Sequence, residues 1–305
     1  MPISDYPNGF PNGVAIRDMP VLNAYTGKAW WVCSPTSPSA GGSNTTHGAR
    51  GGFNNPYPSL ATAVLNQRMV AGDIICVKAQ HAETITAPII PLVACTILGL
   101  GTGNLRPQFT MNLANAALYG IQLNYAGSTI SNLYFPISLS ALAGAVFLNA
   151  AECAVYNSIF FCGASDTNSI VLGLAANTAK IYNNEFFLRA AGPVHAINIP
   201  SGPLRVEIRW NLFDGLAATS AWSGGGIYCS GSASVDRVTN NDFLYMYASA
   251  GGVNFGANVK GLIRDNFFGG GSLTYSLING GCYCANNYSS SNTSDSAELF
   301  PTGSG

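Results

Sequence analysis

Three carboxylates in the second half of the chain are the residues best suited to chemistry. They are Glu185, Asp214 and Asp242, in a sequence with only 14 acidic residues among 305. Two carboxyl groups can hydrolyse a glycosidic bond, one as acid and the other as base or nucleophile. They must stand about 5 to 9.5 Å apart to do so. The three histidines, His47, His81 and His195, lie in unrelated segments. His81 and Glu83 share a turn after the apolar run ending Val77-Lys78, where a structural role is expected. Eight cysteines include one close pair, Cys282-Tyr283-Cys284, with no second pair or histidine at zinc spacing. No metal site is expected, and all eight are read as packing thiols. The run Gly99-Leu-Gly-Thr-Gly-Asn104 lacks the lysine and following helix of a phosphate loop, so it reads as a turn. No cofactor is implied.

What must position the carboxylates is a repeat. An apolar residue, two variable residues, Asn, one variable residue and Phe recur as Ile181 to Phe186, Ile208 to Phe213, Val238 to Phe243 and Ile263 to Phe268. Two earlier copies, Val155 to Phe160 and Ile130 to Phe135, have Ser158 and Leu133 in place of the Asn. A period of 25 to 30 residues marks a repeat architecture. Each period adds a second short apolar run, such as Ile170 to Leu174 or Ala196 to Ile199, with Gly, Ser, Asn and Ala between. Two or three short strands per period cannot bury a face alone. Stacked coils can, each strand pairing in parallel with its counterpart about 4.8 Å away. Phe135 through Phe268 then form one interior column. Asn184, Asn211, Asn241 and Asn266 form a second at a turn, where an amide tolerates left-handed backbone and bonds its equivalents.

On these residues the chain resembles the right-handed parallel β-helix superfamily, the pectate-lyase-like fold also used by tailed-phage virion and tailspike proteins. The resemblance covers roughly 72–290. The order of Gly/Asn-rich loop, Pro-Tyr-Pro-Ser-Leu60, short helix and Gly72-Asp-Ile-Ile-Cys-Val77 is similar to the start of many phage β-helix proteins. It implies an all-β solenoid with an N-terminal extended arm and a short capping helix that covers the open first coil. Residues 1–32 read as the arm, 33–71 as loop and capping helix, 72–290 as β-helix and 291–305 as a C-terminal tail. Ser59 is the expected N-cap, with Leu60, Ala61, Val64 and Leu65 at helical spacing.

Coil alignment places Glu185 and Asp242 in one column two coils apart, about 10 Å, with Asp214 between those coils. Enzymes of the resembled family that use calcium need clustered carboxylates and an Arg or Lys base. Lys180, Glu207 and Arg237 share another column and read as a surface ion-pair ladder. Tyr156, Tyr182 and Trp210 are exposed aromatics on three consecutive coils, suited to a sugar ring or to a neighbouring subunit.

Charge and composition narrow the function. Only 9% of residues are charged and the net charge is −1. This excludes a basic nucleic-acid stripe and leaves a neutral exterior that partners are expected to cover. No apolar run reaches membrane-spanning length, and Met1 to Asp5 shows no charged-then-apolar leader, so assembly in a host cytoplasm is expected. The arm, with two Pro-Asn-Gly turns, cannot bury itself and is expected to lie on another subunit or virion protein. The reading is a non-enzymatic structural protein of a tailed-phage virion: a tail fibre or spike, or a capsid decoration. A homotrimer is expected, along with a contribution to attachment at host surface polysaccharide. The alternative is a polysaccharide-degrading tailspike, a lyase or glycoside hydrolase, using Glu185, Asp214 and Asp242. A surface adhesin is disfavoured by the missing leader.

Overall fold

The computed structural model describes residues 14–16, 19–21, 27–37, 51–115, 118–163, 168–188, 195–200, 202–215, 226–229, 234–246, 252–271, 277–278, 281–291 and 294–298. Three sheets run the length of a parallel β-helix, ten, ten and seven strands deep. The first sheet contains Lys180–Tyr182 and Glu207–Arg209, and the second contains Glu185–Leu188 and Leu212–Asp214. The third contains His195–Ile199 and Ile227–Cys229. From Cys95–Gly99 through Leu277–Ile278 each coil passes through them in that order. The repeat phrase spans the corner between the first two sheets, and its copies are in register. Val155 pairs with Ile181, Ile181 with Ile208, Ile208 with Val238, and Val238 with Ile263.

The expected interior column is present. Phe135, Phe160, Phe186, Phe213, Phe243 and Phe268 stack with ring centroids 4.9, 5.1, 4.8, 4.6 and 4.8 Å apart in turn. Phe109 extends it by one coil at 6.1 Å. Offset stacking of this kind adds about 0.5–1.5 kcal/mol per pair beyond area burial.

The corner separates two jobs that the sequence reading assigned to one residue. The left-handed residue is the one before the column Asn: Asn132, Asn157, Asn183, Trp210, Asn240, Asp265 and Asn286, with φ between 51° and 57°. The column Asn itself is buried and binds along the solenoid. Asn184 Nδ2 donates to Asn211 Oδ1, Asn211 to Asn241, and Asn241 to Asn266, each at 3.0 Å; Asn266 donates to Asn287 at 2.9 Å. Each Oδ1 also accepts the backbone N–H of the preceding coil, as Asn241 does from Asn211 at 3.0 Å. Every rung thereby satisfies buried backbone that has no other partner at the bend. Ser158 stands in one coil earlier, its Oγ accepting Leu133 N–H at 3.2 Å.

The N-terminal end is closed by the helix Leu60–Val64. Ser59 is its N-cap, as expected, accepting from Thr62 N–H at 3.1 Å. Leu60, Ala63 and Val64 are buried, but Leu65 is 64% exposed because the helix stops before it. Glu83 faces Phe109 in the sheet register and ends the Phe column. Its carboxylate accepts Leu60 N–H at 2.6 Å and Ala61 N–H at 3.2 Å. His81 Nδ1 accepts Ser34 N–H at 2.7 Å, which leaves Nε2 as the donor to Glu83 at 3.0 Å. His81 and Glu83 thus fasten the cap to the first coil. The arm ends earlier than 32. Ala29–Val32 is the outermost strand of the first sheet, pairing with Ile74 to Val77 because Trp30 and Val32 are apolar enough to enter the core. Upstream of it, Val14–Ile16 and Met19–Val21 pair antiparallel; residues 1–13, 17–18 and 22–26 of the arm lie outside the described residues, as does 38–50 with His47.

At the other end Asn287 completes the amide column, its Nδ2 donating to Ile263 O at 2.9 Å. Part of the segment read as a tail is structured. Ser294–Glu298 folds back antiparallel on Tyr288–Ser291, covering the last edge of the second sheet, which would otherwise present unpaired N–H and C=O groups. Residues 299–305 lie outside the described residues.

Candidate functional site

The three carboxylates lie on the outward side of the second sheet. Glu185 and Asp242 are both partners of Leu212, so they stand two strands apart, about 10 Å, with the leucine between them. Asp214 pairs with Phe187 and Leu244 in the neighbouring column, diagonal to both acids at about 7–8 Å between Cα atoms. Asp242 is exposed; Glu185 and Asp214 are half-buried. Sequence reasoning missed Arg106, which follows the short 3-10 turn Gly103–Leu105. Its Nε and Nη1 are buried without hydrogen-bond partners. Burial pulls the guanidinium below its ordinary value, and the Glu185 charge works against that fall. Three coils separate the two residues, so no local pattern announces their proximity.

Around the acids the same sheet face is apolar. The Glu185 column reads Tyr134, Ile159, Glu185, Leu212, Asp242, Phe267 and Tyr288. The neighbouring column reads Pro136, Phe161, Phe187, Asp214 and Leu244. Phe267 and Tyr288 are 37% and 47% exposed.

Of the three aromatics named from the sequence, two share a column of the first sheet. Tyr156 and Tyr182 are register partners and stack at 4.9 Å with ring planes 4° apart. The next member of that column is Arg209, not Trp210. Trp210 sits one residue further on, in the left-handed turn at φ 56°, and is 51% exposed. The Arg209 guanidinium lies 4.6 Å from its ring centroid and 5.9 Å from that of Tyr182. Burial pushes the Tyr182 phenol up; Tyr156 adds to this and Arg209 opposes it. One face of each tyrosine is therefore covered by the other, while Arg209 lies over the Trp210 ring.

The expected column Lys180, Glu207, Arg237 is in register. The ion pair Glu207 makes, however, is within its own strand, to Arg209 Nη2 at 3.6 Å. His195 is buried, its ring stacked on Tyr228 at 4.3 Å. All eight cysteines are free thiols, seven of them buried. Among the described residues no group of three His, Cys, Asp or Glu side chains is arranged to hold a metal ion. No described helix is long and apolar enough to cross a membrane.

No family model matches the chain, and no curated protein does. Among solved structures it is similar to the pectate lyase Pel9A, at 14% identity and TM-score 0.37, covering 85% of this chain and 78% of that one. It is also similar to the GH136 lacto-N-biosidase of Eubacterium ramulus, at 10% identity and TM-score 0.33, covering 86% and 67%. At these scores neither likeness bears on activity; the fold rests on the strand pairing above.

Proposed function

We propose that the protein is a non-enzymatic structural subunit of a tailed-phage particle, a tail fibre or spike or a capsid decoration, whose flanks are buried on assembly. The observation that carries this reading is the outward face of the second sheet. There Tyr134, Ile159, Leu212, Phe267, Tyr288, Pro136, Phe161, Phe187 and Leu244 form a broad apolar wall interrupted by three acids. A contiguous apolar patch of this extent is the mark of a protein interface. The phage setting follows from the resemblance in chain order around residues 33–77, and the homotrimer and the arm's hold on another virion protein belong to the same reading. The test is a cryo-EM reconstruction of the native particle. The wall covered by protein is the expected result; a solvated wall on a free chain overturns the reading.

A second reading, the polysaccharide-degrading enzyme, is favoured by one observation. Asp214 is the diagonal neighbour of both Glu185 and Asp242, about 7–8 Å away between Cα atoms, which sets two carboxylate pairs on one face, and Arg106 lies within the field of Glu185. Incubation with host capsular or cell-wall polysaccharide tests it. Reducing ends or unsaturated products that vanish in Asp214→Asn would establish catalysis and displace the structural reading.

A further inference from the structure

The second sheet ends differently at its two edges. At the C-terminal end Ser294–Glu298 covers the last strand. At the N-terminal end Ala82–Ile85 is the outermost strand, and the cap helix meets it through the Glu83 carboxylate. Gln108 N–H donates to His81 O and Asn112 N–H to Ile85 O, both at 2.8 Å. Odd-numbered residues of this strand therefore bond into the sheet, and the backbone N–H and C=O groups of Thr84 and Thr86 point to its free edge. Beside that edge runs a groove of about 500 Å³, between the cap helix and the first passage from the second sheet to the third. Val64, Ile85 and Ile89 are its buried lining; Leu65, Ile90 and Leu92 are exposed along it. A free strand edge beside an apolar groove is an arrangement that takes an extended segment as a further strand.

We infer that this groove seats the chain's own hairpin, Val14–Ile16 with Met19–Val21, which adds to the second sheet through Val14–Ile16. Val14 pairs with Val21, Ala15 with Pro20 and Ile16 with Met19, so the register places Val14, Ile16, Met19 and Val21 on one face of the ribbon. Two strands alone are marginal in water and need a third strand or an apolar surface. Proline has no N–H, so Ala15 and Pro20 form the pair whose backbone groups point away from each other. Ala15 thereby offers an N–H and a C=O on the outer side of its strand, while Pro20 blunts the opposite edge. The tether selects the groove. The chain enters the first sheet at Lys28, whose N–H donates to Asp73 at 2.7 Å. Gly72 N–H, next to Asp73, donates at 3.0 Å to Ala94 O, two residues beyond Leu92 in the groove. Five residues, 22–26, separate the hairpin from Gly27, and they span at most about 18 Å. So short a link holds the hairpin at an effective concentration on the order of millimolar, which favours its own groove over a neighbour's. The arm's hold on another virion protein then falls to residues 1–13.

The test is hydrogen exchange of the full chain read by mass spectrometry, with circular dichroism and melting as folding controls. It does not depend on the reading of the apolar wall. Amides from Thr84 to Leu92 should be protected in the wild type. Val14→Asp/Ile16→Asp in the hairpin should speed their exchange on the order of tenfold or more and leave the later coils unchanged. Ile90→Asp/Leu92→Asp, at exposed positions of the groove, should do the same. Rapid exchange of this stretch in the wild type, or protection that both folded variants keep, overturns the docking. Dilution identifies the owner of the hairpin. Protection that is independent of protein concentration is expected for docking within one chain. Protection that fades on dilution gives the hairpin to a second copy and overturns the inference.

Discussion

Trp210 occupies the turn position that Asn240 holds one coil later, and both are left-handed, at φ 56° and 57°. Six of the seven residues at this corner position are Asn or Asp, whose short polar side chains tolerate that backbone; Trp210 is the exception. It is 51% exposed, so core packing does not explain its presence. Its contact within the chain is the Arg209 guanidinium, 4.6 Å from the ring centroid.

Trp210→Asn should therefore relieve strain. The gain is about 1 kcal/mol from backbone, less about 0.5 kcal/mol for the exposed contact with Arg209. A higher denaturation midpoint in urea is the expected result. A lower midpoint would show that the turn is not strained.

The amide column predicts a steep contrast between neighbours. Asn241→Ala removes the acceptor for the buried Asn211 backbone N–H and the donor to Ile208 O and Thr239 O, while Asn211 Nδ2 keeps Ile181 O and Arg209 O. The cost is about 3 kcal/mol or more. Asn240→Gly, one residue away, keeps the left-handed turn and changes stability by only a few tenths. Urea midpoints of the two variants measure this directly, and equal values would rule out the ladder as a main support.

Asp73 makes the N-terminal end sensitive to acid. Burial alone would push its carboxyl up. The Trp30 indole and the Val70 and Lys28 amides, donating at 2.7, 3.0 and 2.7 Å, outweigh burial and hold it below its ordinary value. The folded state then binds fewer protons than the unfolded one. The stability contributed is complete above the unfolded value of about 4 and is lost as pH falls through the folded value. Trp30 fluorescence followed from pH 6 downward should report loosening below about pH 4, and Asp73→Asn should flatten the profile. A transition near neutral pH would contradict this assignment.

The cysteines predict chemical silence. Burial pushes the thiols of Cys76, Cys95, Cys162 and Cys282 up to about 12 and that of Cys153 to about 11. Only Cys284 is partly exposed. A thiol reagent at pH 8 should label at most that residue in the native protein and all eight after denaturation. Rapid labelling of several thiols in the native state would count against the packing role.

The chain's sequence by itself determined whatever repeats. Stacked coils bring the same position of successive periods together, so the Phe column, the Asn column and the Lys180, Glu207, Arg237 column were legible from spacing alone. The aromatics were legible as a set, and the repeat aligns Trp210 with Asn183 and Arg209 with Tyr182. What a run of letters does not reveal is which corner residue turns, and it is this one rather than the column Asn. Contacts between non-equivalent positions were decided only by the tertiary structure. Arg106 comes within the field of Glu185 from three coils away, Glu83 leaves the Phe column to cap the helix, and the final strand turns back antiparallel. Each depends on where a unique turn sends the chain, and a unique turn has no second copy in the sequence to be compared with.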